Sequence, residues 1–142
     1  MSPESSFQAS PGARSSNAAV TSTALPHWSG VWPALVTPFS DGHVDHEALV
    51  RLTREVSQAG VAGVVALGTT GEASALCERE RDEVIETVLE AADGMPVVVG
   101  TGSNISQQTA TRTRRAAELG AAGALVVTPY YVKPNPAGLL GH

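Results

Sequence analysis

The sequence predicts an α/β fold built on a parallel sheet, and two observations support this. Short apolar segments alternate with longer segments of helical periodicity, in units of about 30 residues, the length of a strand and its helical crossover. The apolar segments are continuous instead of alternating with polar residues, which is typical of strands covered on both faces. From residue 28 onward, four strands and three helices are predicted.

The predicted strands cover residues 30–36, 61–67, 96–99 and 123–127. Pro38 ends the first strand, because proline cannot continue a central strand. Asp41 and Gly42 predict a turn, and Asp45 is placed as the N-cap of the first helix, which Gly60 ends. Apolar residues recur on one face of that helix at spacings of three and four: Leu49, Leu52, Val56 and Ala59.

The second predicted helix covers residues 78–92 and closes at Gly94. Its apolar face consists of Val84, Ile85, Val88, Leu89 and Ala92. Ser106 is placed as the cap of the third helix, which ends at Gly120 and has a thin buried stripe of Ala110, Ala117 and Leu119.

Residues 1–27 are rich in Ser, Ala and Pro and have no apolar periodicity. They are predicted to form a disordered tail, and they resemble neither a secretory signal nor a transit peptide. The domain is therefore expected to begin at residue 28.

Composition excludes several classes of function. The net charge of −5 argues against a nucleic-acid binder, and no apolar stretch is long enough to span a membrane. The single cysteine, Cys77, favours a cytoplasmic protein, and it is interpreted as an inert thiol. The four histidines show no metal-ligand spacing, so no metal and no cofactor are expected.

Two architectures fit this alternation: a small doubly wound sheet, or one half of an eightfold (β/α)₈ barrel. Length favours the doubly wound sheet, because a barrel needs roughly 250 residues. Its best supporting motif, which begins Gly100-Thr101-Gly102, is weak because Ile105 stands where a dinucleotide fingerprint has its third glycine.

The run Gly68-Thr69-Thr70-Gly71-Glu72 directly follows the second predicted strand. It therefore lies at the carboxyl end of a strand, where α/β folds bind ligands. The glycines permit tight turns, and the threonine hydroxyl and backbone N–H groups are donors for a small anion. Glu72 is interpreted as a residue that caps or braces this loop.

Four motifs in register resemble the dihydrodipicolinate synthase / N-acetylneuraminate lyase family of pyruvate-dependent aldolases. They are Ala34-Leu35-Val36-Thr37-Pro38-Phe39, the threonine run above, Gly100-Thr101-Gly102-Ser103-Asn104, and Val127-Thr128-Pro129-Tyr130-Tyr131. The resemblance extends from Gly30 to the end of the chain and is greatest to the dihydrodipicolinate synthase branch. It implies that residues 28–142 are the amino-terminal part, about four βα units, of a (β/α)₈ barrel.

The resemblance also implies the chemistry: a lysine forms a Schiff base with pyruvate, and the derived enamine attacks an aldehyde, in this branch aspartate semialdehyde. Thr69 and Tyr131 correspond to a proton relay, with Tyr131 crossing a tight dimer. Thr70 corresponds to the ligand of the pyruvate carboxylate, with Gly68 and Gly71 beside it. Tyr130 corresponds to a residue packed at the interface, and Asn104 is interpreted as a turn residue without a catalytic role.

The family's Schiff-base lysine has no counterpart in this sequence, whose only lysine is Lys133. Lys133 is expected in a loop, where it is a poor amine nucleophile. The chain is accordingly interpreted as a truncated member of the family that is inactive alone and whose full-length form is a homo-oligomer. Two alternatives remain open: a sialic acid or keto-deoxy sugar acid aldolase, or a non-catalytic half-barrel module that pairs with a second chain.

Overall fold

The computed structural model describes residues 28–142, which form one parallel sheet with helices packed against it. The predicted tail, residues 1–27, lies outside the described residues. The elements follow one another in this order: β1 Phe39–Ser40, β2 His43–Val44, α1 His46–Gln58, β3 Val64–Ala66, α2 Glu78–Ala92, β4 Val97–Gly100, α3 Ser106–Leu119, β5 Gly123–Leu125 and α4 Pro136–Gly141. A 3₁₀ turn, Ala73–Ala75, precedes α2.

The central sheet contains β3, β4 and β5 in chain order, and all are parallel. Val64 lies opposite Val97, and Val98 lies opposite Gly123. This order shows no reversal of the kind that creates the switch point of a doubly wound sheet. The described strands therefore do not support the doubly wound alternative that length alone favoured.

The first predicted strand, residues 30–36, is present only as an irregular edge of this sheet. Ala34 forms an isolated parallel bridge with Val65, and the Leu35 N–H donates to the Val65 carbonyl at 2.9 Å. A longer regular strand does not form because Pro33 has no N–H to donate and Gly30 has a φ of +88°. The prediction of a strand over 30–36 was wrong in extent, although the segment does extend the sheet in chain order.

The two faces of the sheet are covered differently. Val64, Ala66, Val97 and Val99 are buried in the core together with Leu49 of α1, the apolar face of α2 and Ala116 of α3. On the opposite face, Val65, Val98 and Gly123 border a hollow that also contacts Trp28 and Trp32. The two indole rings lie 5.2 Å apart between centroids and cover this face at the amino-terminal end of the strands.

A small antiparallel hairpin of β1 and β2 precedes α1, and no strand was predicted there. Its turn was predicted, and Asp41 and Gly42 have φ angles of 51° and 80°, the positive values that a tight hairpin requires. The Asp45 N–H closes the segment on the Pro38 carbonyl at 2.8 Å. Two-residue strands are too short for a periodic pattern in the sequence, which explains why they were missed.

Helices α1 and α2 form as predicted. Asp45 caps α1 by accepting the Ala48 N–H at 2.9 Å. In α2 the buried face contains Val84, Ile85, Val88 and Ala92, and the exposed Cys77 is its N-cap. Glu80 accepts the Cys77 N–H at 2.8 Å, and this hydrogen bond holds the pKa of Glu80 below its ordinary value.

Helix α3 differs from its prediction in two respects. Its N-cap is Ile105, so Ser106 is the first helical residue and not the cap. Its buried residues are Thr109 and Ala116, whereas Ala110 and Ala117 are exposed and Leu119 is half-buried. The predicted stripe lies on the wrong side of the helix: Ala116 is buried and not Ala117, and the polar Thr109, which hydrogen bonds to the loop before the helix, is buried and not Ala110.

Within residues 28–142, no helix combines the length and the apolar character that crossing a membrane requires.

The 142-residue polypeptide is expected to self-associate. Leu125, at the end of the edge strand β5, and Val126 and Val127 directly after it are about half exposed, and an exposed apolar sheet edge pairs readily with other chains. Size-exclusion chromatography with light scattering should give a mass above that of one chain. Val126→Glu should lower the associated fraction, whereas Thr111→Glu, on the exposed surface of α3, should not. A compact monomer with a sharp urea transition would contradict this expectation.

Candidate active site

The threonine run forms a tight turn at the carboxyl end of β3. Leu67 leaves the strand with a φ of 55°, and the Gly71 N–H then donates to the Gly68 carbonyl at 3.0 Å. The Glu72 N–H donates to the Thr69 carbonyl at 3.1 Å. These bonds leave Thr69 and Thr70 exposed at the tip of the turn, with Gly68 half-buried and Gly71 buried below them.

Thr37 fixes the base of this turn from a neighbouring segment. Its side chain is buried, and its hydroxyl donates to the Gly71 carbonyl at 2.7 Å. Thr37 follows the edge segment that pairs with β3. The turn that presents Thr69 and Thr70 is therefore held by a hydrogen bond shielded from water, where such a bond is costly to lose.

Glu72 does not brace the loop as predicted. It precedes the 3₁₀ turn with a φ of 50°, and its side chain makes no capping hydrogen bond. The Ala75 N–H instead donates to the Glu72 backbone carbonyl at 2.9 Å. The prediction was wrong because the backbone at this position supplies the acceptor that the side chain was expected to supply.

A buried guanidinium joins the threonine turn to the next strand. Arg81 of α2 is only 4% exposed, and it donates to the Ala73 carbonyl at 3.0 Å and to the Gly100 carbonyl at 2.7 Å. Burial and the neighbouring Arg112 lower the pKa of Arg81, while Glu78, 4.0 Å away, opposes that change. Arginine still remains charged under these conditions, so a single cation connects the ends of β3 and β4.

Tyr130 and Tyr131 lie in a second tight turn, beyond the end of β5. The Val132 N–H donates to the Tyr130 carbonyl at 2.9 Å across Tyr131, whose φ is 70°. A three-residue turn with a positive central φ is the rare, strained form of the γ-turn. It leaves the Tyr131 side chain 96% exposed, and Asn104 accepts the Tyr130 N–H at 2.9 Å.

The structure brings part of the predicted site into one cavity. Gly68, Thr69 and Tyr130 line a hollow of about 480 Å³ together with Arg81 and Arg112. Thr70 and Tyr131 do not line it. At the border of this cavity, Arg112 of α3 forms an ion pair with Glu78 of α2. This pairing holds the pKa of the Glu78 carboxyl below its ordinary value.

Lys133, the only lysine in the sequence, lies in the same exposed loop as Tyr131, with a φ of 45°. The described residues contain no group of three or more histidine, cysteine, aspartate or glutamate side chains that could hold a metal ion.

Sequence reasoning missed Thr37 and Arg81, and it gave Asn104 no part in the site. Arg81 carried a signal: it lies in register with the apolar residues of α2, three positions before Val84. A charged residue on a buried helical face is unusual enough to suggest a specific partner. Thr37 and Asn104 carried no such signal, because their partners lie 34 and 26 residues away.

Comparison with known proteins agrees with this geometry. The model of the dihydrodipicolinate synthetase family matches residues 27–142. The chain belongs to this family. A 4-hydroxy-tetrahydrodipicolinate synthase of Methanosarcina acetivorans is 47% identical over 116 residues, and one of Magnetococcus marinus is 45% identical over the same length. Each alignment covers 81% of this chain and 40% of the relative.

Solved structures of the family resemble the chain equally well. The dihydrodipicolinate synthase of Thermotoga maritima is 46% identical, with a TM-score of 0.76 over 80% of this chain and 39% of the other. The chloride-inhibited enzyme of Acinetobacter baumannii, solved with pyruvate, is 42% identical with the same TM-score, and the alignment covers 80% of this chain and 40% of that one. The chain thus spans about 40% of the length of the curated relatives that it matches.

The hydroxyl of Thr37 is expected to control the threonine turn. Thr37→Val keeps the side chain's shape but leaves the Gly71 carbonyl buried without a donor, whereas Thr37→Ser keeps the donor. A glutamate-specific protease should therefore cut after the exposed Glu72 several-fold faster in Thr37→Val, since losing such a bond costs about 1–3 kcal/mol. Thr37→Ser should be cut at the original rate. Equal rates in both variants would show that the hydroxyl does not hold the turn.

Proposed function

We propose that residues 30–142 supply the amino-terminal half of the pyruvate site of a 4-hydroxy-tetrahydrodipicolinate synthase. One observation carries this proposal: the threonine turn and the tyrosine turn follow strands of the same parallel sheet, and Thr69 and Tyr130 line one cavity there. The curated relatives described above are named 4-hydroxy-tetrahydrodipicolinate synthase and the solved ones dihydrodipicolinate synthase, which supports the choice of reaction within the family.

In this proposal the sheet continues into a (β/α)₈ barrel. The described strands run parallel in chain order with their helices on one face, as barrel strands do. The opposite face, with Val65, Val98 and Gly123, would then be the barrel interior. The strands absent from these residues correspond to the part of the relatives that the alignment does not cover.

Thr70 would bind the pyruvate carboxylate. An exposed threonine at the tip of a turn offers a hydroxyl and a backbone N–H, and a carboxylate accepts both. Gly68 and Gly71 shape that turn. The Thr37 and Arg81 hydrogen bonds would keep these donors in place before substrate arrives, which preserves their strength as ligands.

Thr69 and Tyr131 would pass protons between the substrate and water. A hydroxyl both donates and accepts, so a chain of hydroxyls transfers a proton without any member holding a charge for long. The 96% exposure of Tyr131 supports a position in which its ring enters the site of a neighbouring subunit, with Tyr130 packed at the interface. This places a homo-oligomer in the proposal, although one solved relative is described as a monomeric variant of the synthase.

Lys133 would not be the Schiff-base nucleophile. It lies exposed in the tyrosine loop and pairs with no described acid, so nothing there activates its amine. In the proposal the nucleophile comes from outside these 142 residues, and the polypeptide alone does not condense pyruvate with aspartate semialdehyde. We place the protein in the cytoplasm, which its single, unpaired cysteine supports.

A chimeric barrel tests the function directly. Residues 30–142 replace the matching segment of the Thermotoga maritima synthase, and condensation of pyruvate with aspartate semialdehyde is measured. Thr69→Val should lower kcat by about 10²-fold or more, the usual weight of a positioned proton-transfer group, with pyruvate affinity retained better than turnover. Thr111→Val, on α3, is the matched control and should leave the rate unchanged. A Thr69→Val rate within about twofold of the unmodified chimera would contradict the relay.

Borohydride trapping tests the origin of the nucleophile. Incubation of the 142-residue polypeptide with pyruvate and borohydride should give no stoichiometric adduct by intact-mass analysis, because its one lysine lacks a desolvating pocket. The chimera, treated in parallel, should give one adduct per chain. An adduct on Lys133 that disappears in Thr70→Ala would overturn the assignment.

A further inference from the structure

The segment Gly100-Thr101-Gly102-Ser103-Asn104 lies between the two turns of the proposed site. It follows β4, the strand between β3 and β5. The threonine turn lies on one side of it and the tyrosine turn on the other.

Both contacts depend on glycine. A Cβ on Gly100 would lie 2.0 Å from the Leu67 carbonyl oxygen, at the start of the threonine turn. A Cβ on Gly102 would lie 2.7 Å from the Val127 backbone nitrogen, just before the tyrosine turn. Both contacts involve backbone atoms, which cannot rotate away as a flexible side chain can. The absence of a side chain at these positions therefore permits three successive strand ends to approach closely.

The same segment is anchored to the first turn of α3. Ser103 is buried, its N–H donates to the Thr109 hydroxyl at 3.0 Å, and that hydroxyl donates back to the Ser103 carbonyl at 3.2 Å. The Ser103 hydroxyl donates to Gln108 at 2.6 Å and accepts the Ile105 N–H at 3.2 Å. Ser103 thus has every polar group bonded to the helix or its cap, so the next residue extends from a fixed base.

That next residue, Asn104, reaches the tyrosine turn. Its Oδ1 accepts the Tyr130 N–H at 2.9 Å. Across the described part of the chain, this is the one hydrogen bond that joins residues 128–133 to another segment. The γ-turn across Tyr131 is a strained conformation, and strain of this kind persists only where the surroundings impose it.

We infer that Asn104 is a positioning residue for Tyr131. It holds the Tyr130 backbone, and Tyr130 begins the turn that directs the Tyr131 side chain away from its own subunit. The two glycines and Ser103 set the distance between this turn and the threonine turn. Because a relay fails when its members are displaced by about 1 Å, the segment would affect turnover without touching substrate. This inference rests on the proposed function for its catalytic part.

The kinetic test uses the chimeric barrel with two substitutions at position 104. Asn104→Leu removes the acceptor at similar volume, whereas Asn104→Asp keeps an oxygen in reach of the Tyr130 N–H. Asn104→Leu should lower kcat by about tenfold or more while the KM for pyruvate changes by less than about twofold, because the carboxylate ligand Thr70 is on the other turn. Asn104→Asp should stay within about threefold of the parent. Gln107→Leu, the same change on the exposed face of α3, should have no effect.

Hydrogen exchange of the 142-residue polypeptide tests the anchor without reference to activity. Peptides covering residues 128–133 should exchange about fivefold faster in Asn104→Leu, and at the original rate in Asn104→Asp and Gln107→Leu. Unchanged exchange in Asn104→Leu, or faster exchange with an unchanged kcat, would overturn the inference. If Asn104→Leu exchanges faster but the chimera without substitutions shows no activity, the anchoring role of Asn104 is upheld and the proposed function is contradicted.

Discussion

Parallel pairing of strands joined by helices is the constraint on which the rest of this structure depends. Because β3, β4 and β5 all run in the same direction, their carboxyl ends meet at one edge of the sheet. The threonine turn, the Gly100–Asn104 segment and the tyrosine turn follow those ends in the same order. Three segments separated by about 30 residues along the chain thereby become neighbours, with no contact between distant helices required.

The sheet alone would not hold the two turns in place. Side-chain hydrogen bonds hold them in addition, and they hold the threonine turn more firmly than the tyrosine turn. The threonine turn is held by two buried groups, the Thr37 hydroxyl and the Arg81 guanidinium, both on backbone carbonyls. A cation with so little exposure carries a desolvation cost, which the two carbonyl hydrogen bonds and the nearby Glu78 offset. The tyrosine turn has one hydrogen bond, from an exposed loop, to the rest of the described chain.

The sequence was sufficient wherever a single segment determined its own structure. Helix α2 has the predicted bounds because its five predicted apolar positions repeat at helical spacing and four of them are buried, and the hydrogen bonds of a cap lie within four residues. The prediction failed where a second segment decides. Thr109 faces inward because Ser103 bonds it, and residues 30–36 stay irregular because Pro33 withholds a donor from β3. The threonine and tyrosine motifs were visible in the sequence, but the groups that hold their turns were not.

The unequal fixation matches what each half of the site would have to do. A carboxylate ligand gains most when its donors are fixed before binding, because no reorganisation is then needed. A residue that crosses to a neighbouring subunit must instead adapt to a surface that is set by assembly. Such a residue must point outward and still be able to adjust. The strained tyrosine turn, with its one hydrogen bond to another segment, meets both requirements: Asn104 keeps Tyr131 directed outward, while the exposed loop retains freedom to adjust. Under the proposed function, the buried bonds of the threonine turn would serve binding, and the single bond of the tyrosine turn would serve the proton relay across an interface.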